Sequence, residues 1–138
     1  MQQVRGDTLE GPHREYAADG VVLVEGQYAA DRMQGRWVSY HSGGKQKSER
    51  HYQDDKLHGI ERVWRPDGSL ESTGSYQAGD RHGSWREWDP AGNKLAEGEY
   101  RHGRRHGLWS LYQAGRLTRQ TNYNEGQVME TKLMAPDQ

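Results

Sequence analysis

A glycine recurs every 24 residues, at Gly11, Gly35, Gly59, Gly83 and Gly107, and the aromatic residues keep step with it. Counted from each glycine, position five holds Tyr16, Tyr40, Trp64, Trp88 and Tyr112, and position two holds Trp37, Trp85 and Trp109. Position seventeen holds Tyr28, Tyr52, Tyr76 and Tyr100, with Tyr123 one place early because the last unit lacks a turn residue. These columns take up all 5 Trp and all 8 Tyr of a chain that has no Phe. A period in this range is the signature of a repeat architecture, whose units bury apolar groups against their neighbours. The chain is only 31% hydrophobic, a composition that by itself leans towards disorder, and the columns explain how it can still order.

Each unit reads as a β-hairpin. Pro66-Asp67-Gly68 and Asp89-Pro90-Ala91-Gly92 are turn chemistry, and apolar or aromatic runs such as Leu108–Tyr112 flank such turns. No stretch of ten residues keeps a helical period free of Gly or Pro, which leaves the helix reading weak. The spacing therefore predicts an all-β chain of tandem 24-residue hairpins, an elongated antiparallel meander forming one domain over 1–138. Residues 1–10 form a degenerate half-repeat, with Val4 where a position-seventeen tyrosine would stand. Full units follow at 11–34, 35–58, 59–82, 83–106 and 107–129, then a cap and tail at 130–138, with a closing strand over Glu130–Met134 and fraying at Ala135–Gln138. Small residues recur at position thirteen (Ser48, Ser72, Ala96) and position fifteen (Gly26, Gly74, Gly98), as expected if a neighbouring aromatic lies flat over them. Positions two and five differ in parity, so both faces should carry aromatic stripes unless a bulge intervenes.

With no Cys there is neither a disulfide nor a thiolate ligand or nucleophile, and no apolar leader or membrane-length run is present. A soluble, cytoplasmic protein without stable membrane insertion is expected. Net charge is −1 without a basic stripe, which gives no reason to expect nucleic-acid binding.

His58, His82 and His106 form a column before the repeat glycine. Equivalent positions in successive hairpins lie two strands apart, about 10 Å, whereas ligands of one zinc each lie about 2 Å from it. No metal and no cofactor are expected, and these histidines should shape the loops between hairpins. Glu87, Glu97 and Glu99 assemble no paired-carboxylate cleft, and no nucleophile or phosphate-cradling loop stands out, so an enzyme is not expected. The basic loop Arg101–His106 repeats Arg81 as Arg105. It reads either as a contact for an acidic partner or as a solvated loop. Trp37, Trp85 and Trp109 would be an exposed binding stripe if nothing covers their face.

Gly83-Ser-Trp-Arg-Glu-Trp88, Pro66-Asp-Gly-Ser-Leu-Glu-Ser-Thr-Gly-Ser-Tyr76 and Arg101-His-Gly-Arg-Arg-His-Gly-Leu-Trp109 resemble the bacterial variant of the MORN repeat. The likeness spans roughly residues 4–128. It departs at Glu61 where Trp is usual, at Arg50 where Gly is usual, and in the deletion before Gly115. The resemblance implies a curved row of hairpins and a non-enzymatic binding role. Small stand-alone members look like antitoxin or immunity proteins that silence a cognate toxin by covering it. Trp37, Trp85 and Trp109 would then be anchors, with Arg81, Arg104 and Arg105 along one edge. The rival readings are a membrane- or phospholipid-associated scaffold and a polysaccharide-contacting one. Open sheet edges also allow an edge-to-edge homodimer.

Overall fold

The computed structural model describes residues 3–5 and 8–135, and within them the chain is strand and turn without a helix. The strands are β1 (Gln3–Arg5), β2 (Thr8–Tyr16), β3 (Val22–Ala29), β4 (Arg32–Tyr40), β5 (Gln46–Gln53), β6 (Lys56–Leu57) and β7 (Gly59–Trp64). There follow β8 (Leu70–Gln77), β9 (Asp80–Arg81), β10 (Gly83–Trp88), β11 (Lys94–Arg101), β12 (Arg104–Gln113), β13 (Arg116–Asn124) and β14 (Gln127–Leu133). They form one open antiparallel sheet in the order β1-β2-β3-β4-β5-β7-β8-β10-β11-β12-β13-β14. The short β6 and β9 pair with β5 and β8 and run on into β7 and β10 after one residue. Val4 pairs with Leu9 as Tyr28 pairs with Met33, so the N-terminal residues keep the register of a half-unit. The anticipated closing strand is β14. Of the stretch Ala135–Gln138 expected to fray, residues 136–138 lie outside the described residues.

Two kinds of turn alternate along the sheet. Within a unit the wider turn closes as in Arg65 N–H to Ser69 O (2.8 Å), with Gly68 N–H returning to Arg65 O (2.9 Å). Between units the connection is tighter than a loop. Ala30-Asp31 (φ 51° and 66°), Asp54-Asp55 (50° and 69°) and Ala78-Gly79 (50° and 92°) are two-residue turns in the left-handed region. That is the geometry whose twist matches a hairpin, so the linkers are hairpin turns themselves. Each such turn is strapped to the unit before it. Asp55 N–H donates to Met33 O (3.1 Å) while Asp55 Oδ1 accepts Met33 N–H (2.7 Å). On the opposite edge, His41 Nε2 donates to Trp64 O (2.8 Å) and Arg65 Nη2 to Trp88 O (2.6 Å).

The repeat glycine explains the tryptophan beside it. Gly35, Gly83 and Gly107 have φ of 71°, 89° and 73°, a region that only glycine enters cheaply. The ladder jumps there, from Gln27↔Gln34 to Glu25↔Val38 and from Glu99↔His106 to Glu97↔Ser110. The extra residues on the later strand swing the tryptophan back over the earlier one. A Cβ added to Gly26, Gly74 or Gly98 would lie 2.0, 2.2 and 2.2 Å from the rings of Trp37, Trp85 and Trp109. The glycine is the floor on which the indole lies. Beside it Ser48, Ser72 and Ala96 are buried, as their size suggested.

A second shift recurs between positions four and five, at Ser39/Tyr40, Val63/Trp64, Glu87/Trp88 and Leu111/Tyr112. It leaves position five on the face away from the buried tryptophans. Tyr40 there donates to Glu25, and Tyr112 to Glu97 Oε1 at 2.9 Å. Both faces thus carry an aromatic column. Bulges bend and twist the strand that holds them, and one repeated at the same place curves the whole sheet.

Candidate binding face

Trp37, Trp85 and Trp109 are only 7, 8 and 5% exposed. This corrects the expected open tryptophan stripe: the indoles lie in the sheet surface, and what stands above and between them is tyrosine and arginine. Tyr28 meets Trp37 edge-on at 5.3 Å, and Trp37 meets Tyr52 at 6.2 Å. His13, in the place of a tryptophan, extends the row at 5.4 Å from Tyr28. Further along, Tyr100 stands between Trp85 (5.9 Å) and Trp109 (5.0 Å). The near-perpendicular rings of this row have the edge-to-face geometry that adds stabilisation beyond simple burial.

Two of the candidate arginines join this row. The Arg81 guanidinium sits 4.5 Å from the Trp85 ring and 5.3 Å from Tyr100. Arg105 repeats it at 4.9 Å from Trp109 and 5.7 Å from Tyr123. Hydrogen bonds from their side chains to tyrosine hydroxyls fix them: Tyr76 first, then Tyr100, hold the Arg81 pKa above its ordinary value, and Tyr123, then Tyr100, do so for Arg105. The structure therefore brings Arg81 to Trp85 and Arg105 to Trp109. Arg104 is not part of this set. It pairs with Arg101 at the strand end, and alternation along β12 sends it to the other face. Among the described residues no guanidinium is seated on Trp37 as Arg81 is on Trp85.

The reason lies further back in the column that matches Arg81 with Arg105. Position twenty-two reads Met33, Leu57, Arg81, Arg105, and Leu9 holds the same register against Val4. Only Arg81 and Arg105 carry a guanidinium, and Leu9, Met33 and Leu57 are apolar. Extending the column count by five places would have found them. Over Trp37 the shorter, uncharged Met33 leaves a hollow of about 420 Å³ lined by Trp37, Tyr28, Tyr52, Met33, Glu15 and Arg50, among others.

The row breaks at Glu61. This carboxylate, 6% exposed, takes the tryptophan's place, and Arg50 on the preceding strand takes the glycine's. The two departures answer each other: Arg50 Nε donates to Glu61 Oε2 at 2.6 Å, and Arg50 Nη1 to Ser48 Oγ at 3.2 Å. An ion pair fills the volume of an indole on its floor.

The opposite face is laced by charges. Arg36 and Arg62 both donate to Glu49, at 2.7 and 3.0 Å. The Arg36 hydrogen bond, aided by Arg62 and opposed by burial, holds the Glu49 carboxyl below its ordinary pKa. Glu97 is lowered chiefly by the Tyr112 hydroxyl, with Lys94 assisting. The histidines serve the loops: Nδ1 of His58 accepts Ala78 N–H (3.3 Å), and Nδ1 of His106 accepts Glu125 N–H (3.2 Å).

The described residues thus form an open sheet of tied hairpins, one face carrying a row of buried and half-buried rings topped by arginine and the other laced by charge pairs. The family profile of the MORN repeat variant matches residues 9–30, 33–54, 57–78 and 81–102, more than half of the chain. The chain belongs to that family. Its repeats are non-catalytic modules that generally bind proteins or membranes. The hairpin over 107–124 lies beyond the matched segments yet repeats the lock of Trp109 on Gly98. No curated protein matches the chain.

Proposed function

We propose that the chain is a non-enzymatic protein-binding module of antitoxin or immunity type, which neutralises a cognate toxin by lying across its active surface. The observation that carries this reading is the pair of arginines stacked on rings, Arg81 on Trp85 and Arg105 on Trp109, with Tyr100 between them. Tyr, Trp and Arg are the residue types that dominate binding energy at protein interfaces. Here their rotamers are already fixed, so little side-chain entropy is lost on docking. Size also supports occlusion. Twelve strands side by side, with a typical eight-residue strand about 27 Å long, make a face about 50 Å in length and roughly 1,400 Å² in outline. That exceeds the roughly 800 Å² per partner of a standard interface.

The test is a pull-down from the host cell with three baits: the unaltered protein, Arg81→Glu/Arg105→Glu, and Arg104→Glu. One stoichiometric protein is expected, lost with the double variant and kept with Arg104→Glu. Retention by the double variant and loss with Arg104→Glu would move the contact to the opposite face. An empty pull-down together with flotation on anionic vesicles would make a membrane surface the partner and end the neutraliser reading.

A further inference from the structure

The row of rings contains its own record of what it accepts. At two successive units the cradle formed by a floor-lying tryptophan and the tyrosine of the same hairpin is filled by a guanidinium of this chain, at 4.5 and 5.3 Å for Arg81 and at 4.9 and 5.7 Å for Arg105. Trp37 and Tyr52 form the same cradle two units earlier, beyond the break at Glu61, with rings 6.2 Å apart at 77° against 5.9 Å and 87° for Trp85 and Tyr100. The residue in the guanidinium's column there is Met33, and the hollow of about 420 Å³ remains. Resting on the binding-module reading, we propose that this hollow is a pocket for one arginine side chain of the partner protein, seated on Trp37 as Arg81 is seated on Trp85.

Charge agrees with this occupant. The acidic and basic side chains lining the pocket are Glu15, Arg50 and His13. Arg50 is neutralised by Glu61 at 2.6 Å, so its charge does not oppose an incoming cation. Glu15 is 59% exposed at the rim, with the His13 ring 3.7 Å away, and offers its carboxylate to a guanidinium whose flat face rests on the indole. Arginine suits the site better than lysine. It stacks on an aromatic face and is more weakly hydrated, while an ammonium is a compact, strongly hydrated charge. Nearby tyrosine hydroxyls are acceptors of the kind that Tyr76, Tyr100 and Tyr123 provide to the chain's own arginines.

The test uses the full chain, labelled with ¹⁵N, and a capped Gly-Arg-Gly peptide beside its Gly-Lys-Gly counterpart. The arginine peptide is expected to shift the Trp37 indole N–H signal saturably, leaving Trp85 and Trp109 in place, and the lysine peptide to shift it less. Met33→Arg fills the cradle with a side chain the fold already holds at Arg81 and Arg105, and abolishes the titration. Glu15→Gln weakens it about two- to fivefold, the worth of an exposed ion pair. An unmoved Trp37 signal at saturating peptide, or an unchanged titration in Met33→Arg, overturns the pocket. The outcome is separable from the broader reading: a protein partner captured equally by the unaltered chain and by Met33→Arg would leave the binding module standing and refute the arginine pocket alone.

Discussion

Arg50 and Glu61 offer a direct measure of how the repeats are locked together. Glu61 is 6% exposed with Arg50 in place, and Arg50→Gly removes that cation, leaving the Tyr76 hydroxyl at 3.5 Å. Breaking a fully buried pair costs about 3–5 kcal/mol. The Arg50 side chain is 39% exposed, so water reaches the vacated space and the cost falls to about 2–3 kcal/mol. Glu61→Trp alone places an indole against an arginine where the other units have glycine, an overpacking of about 1–3 kcal/mol. The two changes together rebuild the Trp-on-Gly lock seen at Trp85 and Gly74. Exchanging a buried pair for well-packed apolar groups is neutral or stabilising by about 1–4 kcal/mol. The double variant should therefore be at least as stable as the original chain, with a coupling energy of about 3 kcal/mol or more. Urea and thermal unfolding of all four members of the cycle, followed by far-UV circular dichroism and tryptophan fluorescence, read this out. Coincidence of the two probes checks that unfolding is cooperative, which repeat arrays do not guarantee. A double variant no more stable than the weaker single variant would refute the equivalence of the two locks.

Gly98→Ala, whose Cβ would meet the Trp109 ring at 2.2 Å, should cost about 1–3 kcal/mol in urea unfolding and expose that indole to acrylamide quenching. Glu49 is a depressed carboxylate, so its stabilisation is complete above the ordinary glutamate pKa of about 4.3 and fades as pH falls through its lower folded value. Glu49→Gln should accordingly flatten the loss of thermal stability below about pH 4, and an unchanged acid slope would remove Arg36 and Arg62 from the account. Every residue of β14 is exposed, Val128 and Met129 at 61 and 60%, and edge-to-edge pairing through it should appear as a sedimentation coefficient that rises with concentration and ceases to do so in Val128→Lys. A constant coefficient in the unaltered chain would show the edge to be self-protected.

The hairpins, their phase and the small residues under the aromatics were legible because each rests on a local rule that recurs along the chain, the hairpin five times and the small floor residue three times. Two things were not. The inter-unit turns looked like polar loops because Ala30-Asp31 and Asp54-Asp55 lack the glycine that advertises a left-handed turn. Their strain is offset by straps such as Asp55 to Met33, and a bond to another unit leaves no mark in the segment itself. The depth of the tryptophans was also hidden. Position two is buried because the bulge at the repeat glycine turns the ring onto Gly26, Gly74 or Gly98, and parity counting reports a face without reporting how far a ring sinks into it. Arg50 and Glu61 were visible as departures; that they cancel needed the register of the adjacent strands β5 and β7, which brings one against the other.

The lock of each tryptophan on the glycine of the strand before it joins nearest neighbours alone. Unit number is then an adjustable dimension. A further 24-residue cassette cut between equivalent glycines, such as residues 83–106 copied in tandem, presents Trp85 to the preceding Gly98 and Gly98 to the following Trp109, and meets native surroundings at both joints. Each cassette lengthens the face by two strands, about 10 Å, and adds one more ring-seated arginine in register with the others. The molecule is in this sense a ruler with one graduation per repeat, and a partner's span along it can be matched by counting units.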